Sequence, residues 1–452
     1  VGGKTPNSSS DMTQFPKAVR YALGLHVFCA TDPRLCVAEE NPMHFATSLQ
    51  PYFKRNENTP ANSLQLQCCI SVVDAVVKES GAISLATATE IEKDLRFLLL
   101  RNTYHGVLYY ASRCICSVAE TMMGNVSTVA TGSLQICRRF VKLLAEVAEK
   151  ESLSLGERAH VSRALFVLGH LGRFGADTLE LSREVAVAPE ALLTLFRTFL
   201  QRTGNQDEFD LKRRALQACG FLFVSRPALM LCPNGGFGKG SMDGIMRAAL
   251  GKDAERNLKE QALLNLDEYL REEEIRTLIQ MSDDPNAQQG GGNATQKANA
   301  NAAAIAGTGG ALSRAKRRRA AEAKRAEGGE KDTTGIGFQT VNGEHDNSLA
   351  NGVAQRYWSF VLELCVDPEP SVRLKALHLA EVVLRQGLVH PMSCFPPLIA
   401  LQADPVLTSK KLAMRLLRQQ HGKYPDFFDH QLGAGLGLLF EFCKRLQSLA
   451  RR

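Results

Sequence analysis

The sequence has no run of about 18 uninterrupted apolar residues, which is the minimum for a membrane-spanning helix. It also has no sustained alternation of apolar and polar residues, the pattern of a half-buried strand. Its first residues are VGGKTPNSSS, with no starting methionine and no secretory signal pattern. We therefore expect a fragment of a longer chain that has no membrane segment and no β-sheet.

Motifs for catalysis and metal binding are missing as well. The 12 cysteines form no paired CxxC modules with zinc-site spacing, and the ten histidines include no HExxH pattern. The glycine-rich loop Gly235–Gly240 contains Gly-Lys, but Gly240 stands where a phosphate-binding loop needs serine or threonine. We predict a protein that is not an enzyme and has no metal or cofactor. Its cysteines are expected to be reduced thiols in helix cores, which fits a cytosolic or nuclear compartment.

What the sequence does have is helical periodicity over most of its 452 residues. That length exceeds what one hydrophobic core usually supports, so we expect several domains or a repeat array. The pattern is clear in the segment that follows residue 352, where the apolar residues of one helical face are Val353, Tyr357, Phe360, Val361 and Leu364.

An Asp-Pro pair occurs twice near the end of the chain, as Asp367-Pro368 and, 37 residues later, as Asp404-Pro405. We expect each aspartate to cap a helix and each proline to take its first position, where no N–H is needed. Val372 and Arg373 follow the first pair, and the arginine is expected to pair with an acid in the neighbouring repeat. Helix, Asp-Pro turn and second helix are typical of a HEAT repeat of about 40–47 residues. The predicted fold is all-α, a curved, hook-like HEAT-repeat solenoid.

Composition predicts four segments in this array. Residues 1–13 are a disordered leader, and residues 14–281 form the first HEAT repeats. Residues 282–351 are too poor in large apolar side chains to build a core, so we predict a disordered insertion. Residues 352–452 are expected to be C-terminal HEAT repeats, truncated at their end.

Basic side chains provide two candidate contacts to nucleic acid phosphates. The net charge of the chain is +7, and residues 352–452 carry 13 basic and 8 acidic side chains. Arg213 and Arg214 are expected to project outward, because Leu211, Ala215 and Ala218 take the buried face. A second exposed row consists of Lys410, Lys411, Arg415 and Arg418. Either group could bind phosphates by charge without reading a base sequence, although ordinary solvated helices carry similar charge.

A third basic group lies inside the predicted insertion, in the stretch RAKRRRAAEAKR. It is either a solvated, partly helical stretch or a functional cluster, acting as a nuclear import signal or an electrostatic clamp on phosphates. Its basic residues are Arg314, Lys316, Arg317, Arg318, Arg319, Lys324 and Arg325.

Less generic stretches resemble one known family. Residues 376–405 (ALHLAEVVLRQGLVHPMSCFPPLIALQADP) look like the C-terminal repeat region of the cohesin loader, in the Nipped-B or adherin family of sister chromatid cohesion proteins. Residues 211–231, 47–54 and 105–114 are similar to the same region, in the same order. The resemblance covers most of residues 14–430 and contains no catalytic signature. The alanine-, glycine- and arginine-rich insertion departs from the family.

The resemblance implies a non-catalytic HEAT-repeat protein that binds the ATPase heads and kleisin subunit of cohesin and also double-stranded DNA. Such a protein promotes the loading of cohesin onto chromatin in the nucleus and stimulates the cohesin ATPase. The family's smaller partner subunit binds an N-terminal region that we expect to be absent here. The alternative is a generic HEAT-repeat scaffold or transport adaptor with no nucleic acid role.

Overall fold

The computed structural model describes residues 16–37, 43–54, 59–80, 83–121, 129–150, 152–175, 187–202, 206–231, 241–283 and 344–450. All regular elements in these ranges are α- or 3₁₀-helices, which confirms the all-α prediction. None of these helices is long and apolar enough to cross a membrane. The chain divides into two compact units, Val1–Thr198 with Leu278–Gly335 and Phe199–Thr277 with Ile336–Arg452.

Within the described ranges, the first unit contains eight α-helices, including two that begin with side-chain caps. Ser84 caps α4 by accepting the Thr87 N–H at 3.1 Å, and Ser154 with Glu157 forms a capping box at the start of α7. Helix α5 is central, packing against α3, α4 and α7. The helices are α1 Lys17–Thr31, α2 His44–Leu49, α3 Pro60–Ser80, α4 Leu85–Arg101, α5 His105–Thr121, α6 Val129–Ala148, α7 Leu155–Phe174 and α8 Pro189–Leu200.

A buried ionic network joins α3 to α5 in this unit. The Asp74 carboxylate lies 2.8 Å from the Lys78 ammonium and 2.9 Å from Nε of Arg113, and it accepts the Ser117 hydroxyl at 2.5 Å. Burial raises the pKa of Asp74, but the two cations outweigh that effect and hold its pKa below the ordinary value. Two cations and a hydroxyl therefore compensate the desolvation of one carboxylate.

The second unit contains the repeat segment that the Asp-Pro pairs predicted. Helix α13 packs on α14, α14 on α16, and α15 on α17. The helices are α9 Gln206–Ser225, α10 Ala228–Leu231, α11 Met242–Leu250, α12 Arg256–Asp283, α13 Glu344–Leu364, α14 Pro370–Gln386, α15 Phe395–Ala400, α16 Leu407–Lys423 and α17 Pro425–Ala450. Short 3₁₀ turns at Pro391–Cys394 and Leu401–Ala403 flank α15.

The helix boundaries correct two details of the sequence prediction. Helices α14 and α16 begin at Pro370 and Leu407, each two residues after the proline that we expected at its first position. Helix α13 begins at Glu344, inside the segment predicted to be a disordered insertion. It extends upstream because its early residue Ala350 is already buried, at 2% exposure. The leader 1–13 and the loop Gly235–Gly240 lie outside the described residues.

Most of the cysteine side chains that the structure describes are buried. Ten cysteine side chains are described; nine of them are buried, and that of Cys443 is partly exposed. Burial raises the pKa of Cys68 to about 12 and that of Cys69 to about 11. Such thiols stay protonated and act as small apolar side chains, as expected from the sequence.

Candidate nucleic-acid interface

Arg373 is the centre of a buried node in the second unit. Its side chain is 1% exposed, and its guanidinium donates two parallel hydrogen bonds to Asp404, from Nε at 2.8 Å and Nη2 at 2.9 Å. Nη1 donates to the backbone carbonyls of Asp367 and Pro368 at 2.9 and 2.8 Å. The Phe442 ring of α17 covers the guanidinium at 5.4 Å. The expected pairing of Arg373 with an acid of the next repeat is confirmed.

The two Asp-Pro turns have the same local geometry. Asp367 Oδ1 accepts the Glu369 N–H at 2.9 Å, and Asp404 Oδ1 accepts the Val406 N–H at 2.8 Å. Each aspartate therefore accepts the N–H of the residue just before the helix. It closes the turn that leads into the helix and does not cap the first N–H groups of the helix itself. The second oxygen of Asp367 accepts a hydrogen bond from the Lys259 ammonium at 2.8 Å. Both Asp-Pro carboxylates are therefore buried and paired with a cation.

Helix α12 is tied to α14 across the predicted insertion. Glu260 accepts hydrogen bonds from Lys375 and Ser371 of α14. Burial raises the pKa of Glu260, but these two hydrogen bonds and a third from Arg256 outweigh burial and lower the pKa to about 2. Arg385 and Gln386 contact Glu274 and the Leu270 carbonyl further along the helix. Helices on either side of residues 284–343 are therefore joined by hydrogen bonds and ion pairs within the second unit.

The candidate row on α16 is exposed, as its sequence pattern predicts. The opposite face of the helix is buried through Leu412, Ala413 and Leu416. Arg415 is neutralised by Glu381 of α14, with Nη2 2.5 Å from the carboxylate oxygen. The other members of the row, Lys410, Lys411 and Arg418, form no ion pair with any residue that the structure describes. Three cations on one exposed surface thus remain available to an anionic partner.

The two arginines of the other candidate group, Arg213 and Arg214 of α9, differ in their exposure. Arg213 is 37% exposed and lies 3.7 Å from Asp210, whereas Arg214 is buried at 9% exposure and donates to Gln217 at 2.5 Å. Burial, with the charge of Arg213, lowers the pKa of Arg214 to about 10. The predicted outward projection of Arg214 is wrong because residue 214 lies three positions after Leu211, on the same helical face.

We therefore expect Arg213 and Arg214 to respond differently to charge reversal. Arg214→Glu should lower the free energy of unfolding by about 3 kcal/mol, because it places an unpaired carboxylate in the core of the unit. Arg213→Glu, on the exposed side of the same helix, should change it by about 0.5 kcal/mol or less. Urea unfolding followed by circular dichroism compares the two. Equal stability of both variants would contradict the burial of Arg214.

The third candidate group lies outside the described residues. It contains the basic residues of the predicted insertion between Arg314 and Arg325, and its role as an import signal or phosphate clamp stays a prediction. Within the described ranges, the candidate interface therefore consists of the exposed α16 cations, with Arg213 of α9 as a separate, partly paired group.

The aspartates of the two Asp-Pro turns are buried, and a bidentate Arg–Asp pair joins the turns. Stacked helices connected in this way define a protein of the helical-repeat class.

Comparison with known proteins then narrows this class. Residues 350–452 match the family model described as sister chromatid cohesion C-terminus, Nipped-B_C. The matched segment contains the Arg373–Asp404 node and the α16 row. The chain is 24% identical over 423 residues to Nipped-B-like protein B of Danio rerio, covering 92% of this chain. It is 36% identical over 101 residues to the Nipped-B protein of Drosophila melanogaster, covering 22% of this chain. The resemblance to the Nipped-B family is confirmed.

A solved structure has the same fold. The C-terminal fragment of the Chaetomium thermophilum cohesin loader matches over 97% of this chain with a TM-score of 0.63 at 12% identity, covering 27% of that fragment. The chain spans only 12% of the length of the Danio rerio relative and 5% of the Drosophila melanogaster protein. The helical-repeat fold is thus confirmed, while its hook-like curvature stays a prediction.

Proposed function

We propose that this chain is the C-terminal helical-repeat part of a cohesin loader. It binds cohesin through the ATPase heads and kleisin, contacts double-stranded DNA, and promotes the loading of cohesin onto chromatin in the nucleus. It stimulates ATP hydrolysis by cohesin and performs no chemistry itself. The match of residues 350–452 to the sister chromatid cohesion C-terminus is the observation that carries this proposal.

Cohesin loading needs surfaces for large partners, and helical repeats supply them. Stacked repeats expose long faces, because each repeat buries its apolar side against its neighbours. The buried Arg373–Asp404 pair fixes two successive turns relative to one another. Side chains on the following helix α16 are therefore held in a defined arrangement, which suits binding to an extended partner.

The DNA contact in this proposal is assigned to α16. Lys410, Lys411 and Arg418 are exposed cations without a carboxylate partner among the described residues. These three cations lie on one exposed surface of α16 and can contact phosphates by charge alone, without reading a base sequence. We therefore assign them to the DNA backbone, where affinity comes from the release of counterions and falls steeply with salt.

Reversing these three charges should weaken DNA binding and flatten its dependence on salt. The variant Lys410→Glu, Lys411→Glu, Arg418→Glu removes three phosphate contacts, so the slope of log affinity against log salt should fall by about 3. Fluorescence anisotropy with a labelled 30-base-pair duplex, measured across a salt series, gives both values.

A matched control reverses three exposed lysines of the first unit, Lys17, Lys54 and Lys93, and changes the net charge equally. The control should keep most of the affinity and the slope. Equal losses in the two variants would show that total charge, and not the α16 surface, determines binding.

An ATPase assay tests the loader function itself. Cohesin and duplex DNA are combined with the full-length protein that contains this chain, and phosphate release is measured. We expect stimulation that depends on DNA and that the α16 variant reduces. Absence of any stimulation by the unaltered protein would overturn the loader proposal in favour of a scaffold or transport adaptor. The match of residues 350–452 to the sister chromatid cohesion C-terminus favours the loader over that alternative.

A further inference from the structure

The first unit contains a cavity to which the proposed loader function assigns no partner. It has a volume of about 360 Å³ and lies where α4, α6 and α7 meet. That volume is within the range of small-molecule sites in proteins. The residues that matter to its chemistry are Leu100, Arg139, Phe140, Lys142, His160 and Arg163.

The cations around this cavity are mostly uncompensated. Lys142 has a distant carboxylate, Glu146 of the same lining, at 3.9 Å. Arg139 forms no ion pair with any described residue, and the only hydrogen bond of Arg163 within the same ranges goes to a backbone carbonyl. The lining therefore carries three positive charges, from Arg139, Lys142 and Arg163, and one negative charge, from Glu146. His160 adds a ring N–H donor in either protonation state.

Arg163 is fixed in position before any ligand arrives. Its Nη1 donates to the Leu100 carbonyl at 2.7 Å, at the end of α4, so the remaining N–H groups of the guanidinium have a defined direction. Arg163 is only partly exposed, and this partial removal from water lowers the pKa of its guanidinium. A partly desolvated, prepositioned guanidinium is a strong donor to carboxylate or phosphate oxygens.

The apolar part of the lining indicates which chemical group accompanies the anion in the ligand. Phe140 is buried, and Leu100 and Leu143 present apolar surface beside the cations. A net charge of about +2 matches a phosphomonoester, which carries about −1.5 to −2 at neutral pH, better than it matches a single carboxylate. The apolar wall provides contact for an organic group attached to that phosphate.

We propose that this cavity binds a small organic phosphate, with Arg139 and Arg163 on the phosphoryl oxygens and Phe140 against the organic part. Duplex DNA fits less well, because a DNA backbone needs cations spread along a track and these are gathered around one cavity. The proposal does not depend on the loader function.

Phenyl phosphate is a suitable probe because it joins a phosphomonoester to one apolar ring. Isothermal titration of the full chain should give one saturable site with a dissociation constant below about 1 mM. Inorganic phosphate lacks the ring and benzoate lacks the second negative charge, so both should bind at least about threefold more weakly. Benzoate binding equal to that of phenyl phosphate would overturn the assignment to phosphate.

Variants locate the site. Arg139→Gln alters an exposed side chain and should weaken phenyl phosphate binding about tenfold, as expected for loss of a charge-assisted hydrogen bond. Arg163→Lys keeps the charge but loses the fork, and should weaken binding several-fold with unchanged thermal unfolding. The control Arg418→Gln removes the same charge on α16 and should leave binding unchanged.

Three results would refute the proposal. The first is the absence of saturable binding of phenyl phosphate to the unaltered chain. The second is an equal loss of affinity in Arg139→Gln and Arg418→Gln. The third is displacement of phenyl phosphate by a 20-base-pair duplex whose own affinity falls in Arg139→Gln, which would assign the cavity to nucleic acid instead.

Discussion

Replacing Asp404 with alanine is expected to lower the free energy of unfolding of the second unit by roughly 3–5 kcal/mol. The substitution leaves the Arg373 guanidinium buried at 1% exposure with no carboxylate, although its two bonds to backbone carbonyls remain. It also removes the acceptor of the Val406 N–H at the start of α16. Asp404→Ala therefore destabilises this core in two ways, because it leaves the Arg373 charge uncompensated and the Val406 N–H unsatisfied.

The single tryptophan of the chain makes this unit directly observable. Trp358 lies in α13, is buried, and donates to the Ser393 hydroxyl at 2.8 Å, so its fluorescence changes when this unit unfolds. The midpoint of the fluorescence transition in urea should shift strongly in Asp404→Ala. The control Glu381→Ala removes the partner of the exposed Arg415 and should cost about 1 kcal/mol or less.

A double substitution separates the charge from the packing. Arg373→Met combined with Asp404→Leu removes both charges, so its cost should be clearly smaller than the sum of the single costs. Some cost should remain, because the carbonyls of Asp367 and Pro368 lose their donor. Costs that simply add would show that the two side chains do not interact energetically.

A second large loss in the free energy of unfolding is expected from a substitution at Asp74 in the first unit. Asp74→Ala leaves the Lys78 ammonium and the Arg113 guanidinium buried without their shared carboxylate, at a cost of roughly 3–5 kcal/mol. Circular dichroism in urea should show the loss, whereas the Trp358 fluorescence transition should shift far less because Trp358 belongs to the other unit. Glu146→Ala on exposed α6 is the control and should cost about 0.5 kcal/mol or less.

The same site should make the first unit sensitive to acid. The pKa of Asp74 in the folded state is depressed, so its contribution to stability is fully present above the ordinary pKa of an aspartate and is lost as pH falls through the depressed folded value. The difference in stability between the unaltered chain and Asp74→Asn should therefore be constant near neutral pH and shrink below about pH 4. A difference that does not change down to about pH 2 would mean that the carboxylate gains nothing from its two cations.

Helical periodicity in the sequence predicted the all-α fold correctly. The structure adds side-chain caps at Ser84 of α4 and Ser154 of α7, residue types that favour these positions. Helix α17 contains Gly433, Gly435 and Gly437, although glycine is a poor helix former. A Cβ at position 435 would lie 2.5 Å from Cδ1 of Ile399, so that glycine permits the close packing of α15 on α17. Such a packing reason cannot be read from local sequence.

The candidate interface was predictable only in part. The exposure of the α16 row followed from the apolar residues on the opposite face. The burial of Arg214 did not, because the width of an apolar stripe depends on how many neighbouring helices cover it. The partner of Arg373 was predicted as an acid of the neighbouring repeat, but its identity as Asp404, and the cover by Phe442, depend on tertiary contacts.

Asp404 joins the interior of the repeat to the helix that carries the basic row. One of its oxygens accepts from the Val406 N–H, and both accept from Arg373, so the first turn of α16 is anchored to the preceding repeat. The backbone beneath Lys410 and Lys411 is thus preorganised. A polyanion that binds this surface has little backbone entropy to remove, and only the lysine side chains need to be immobilised.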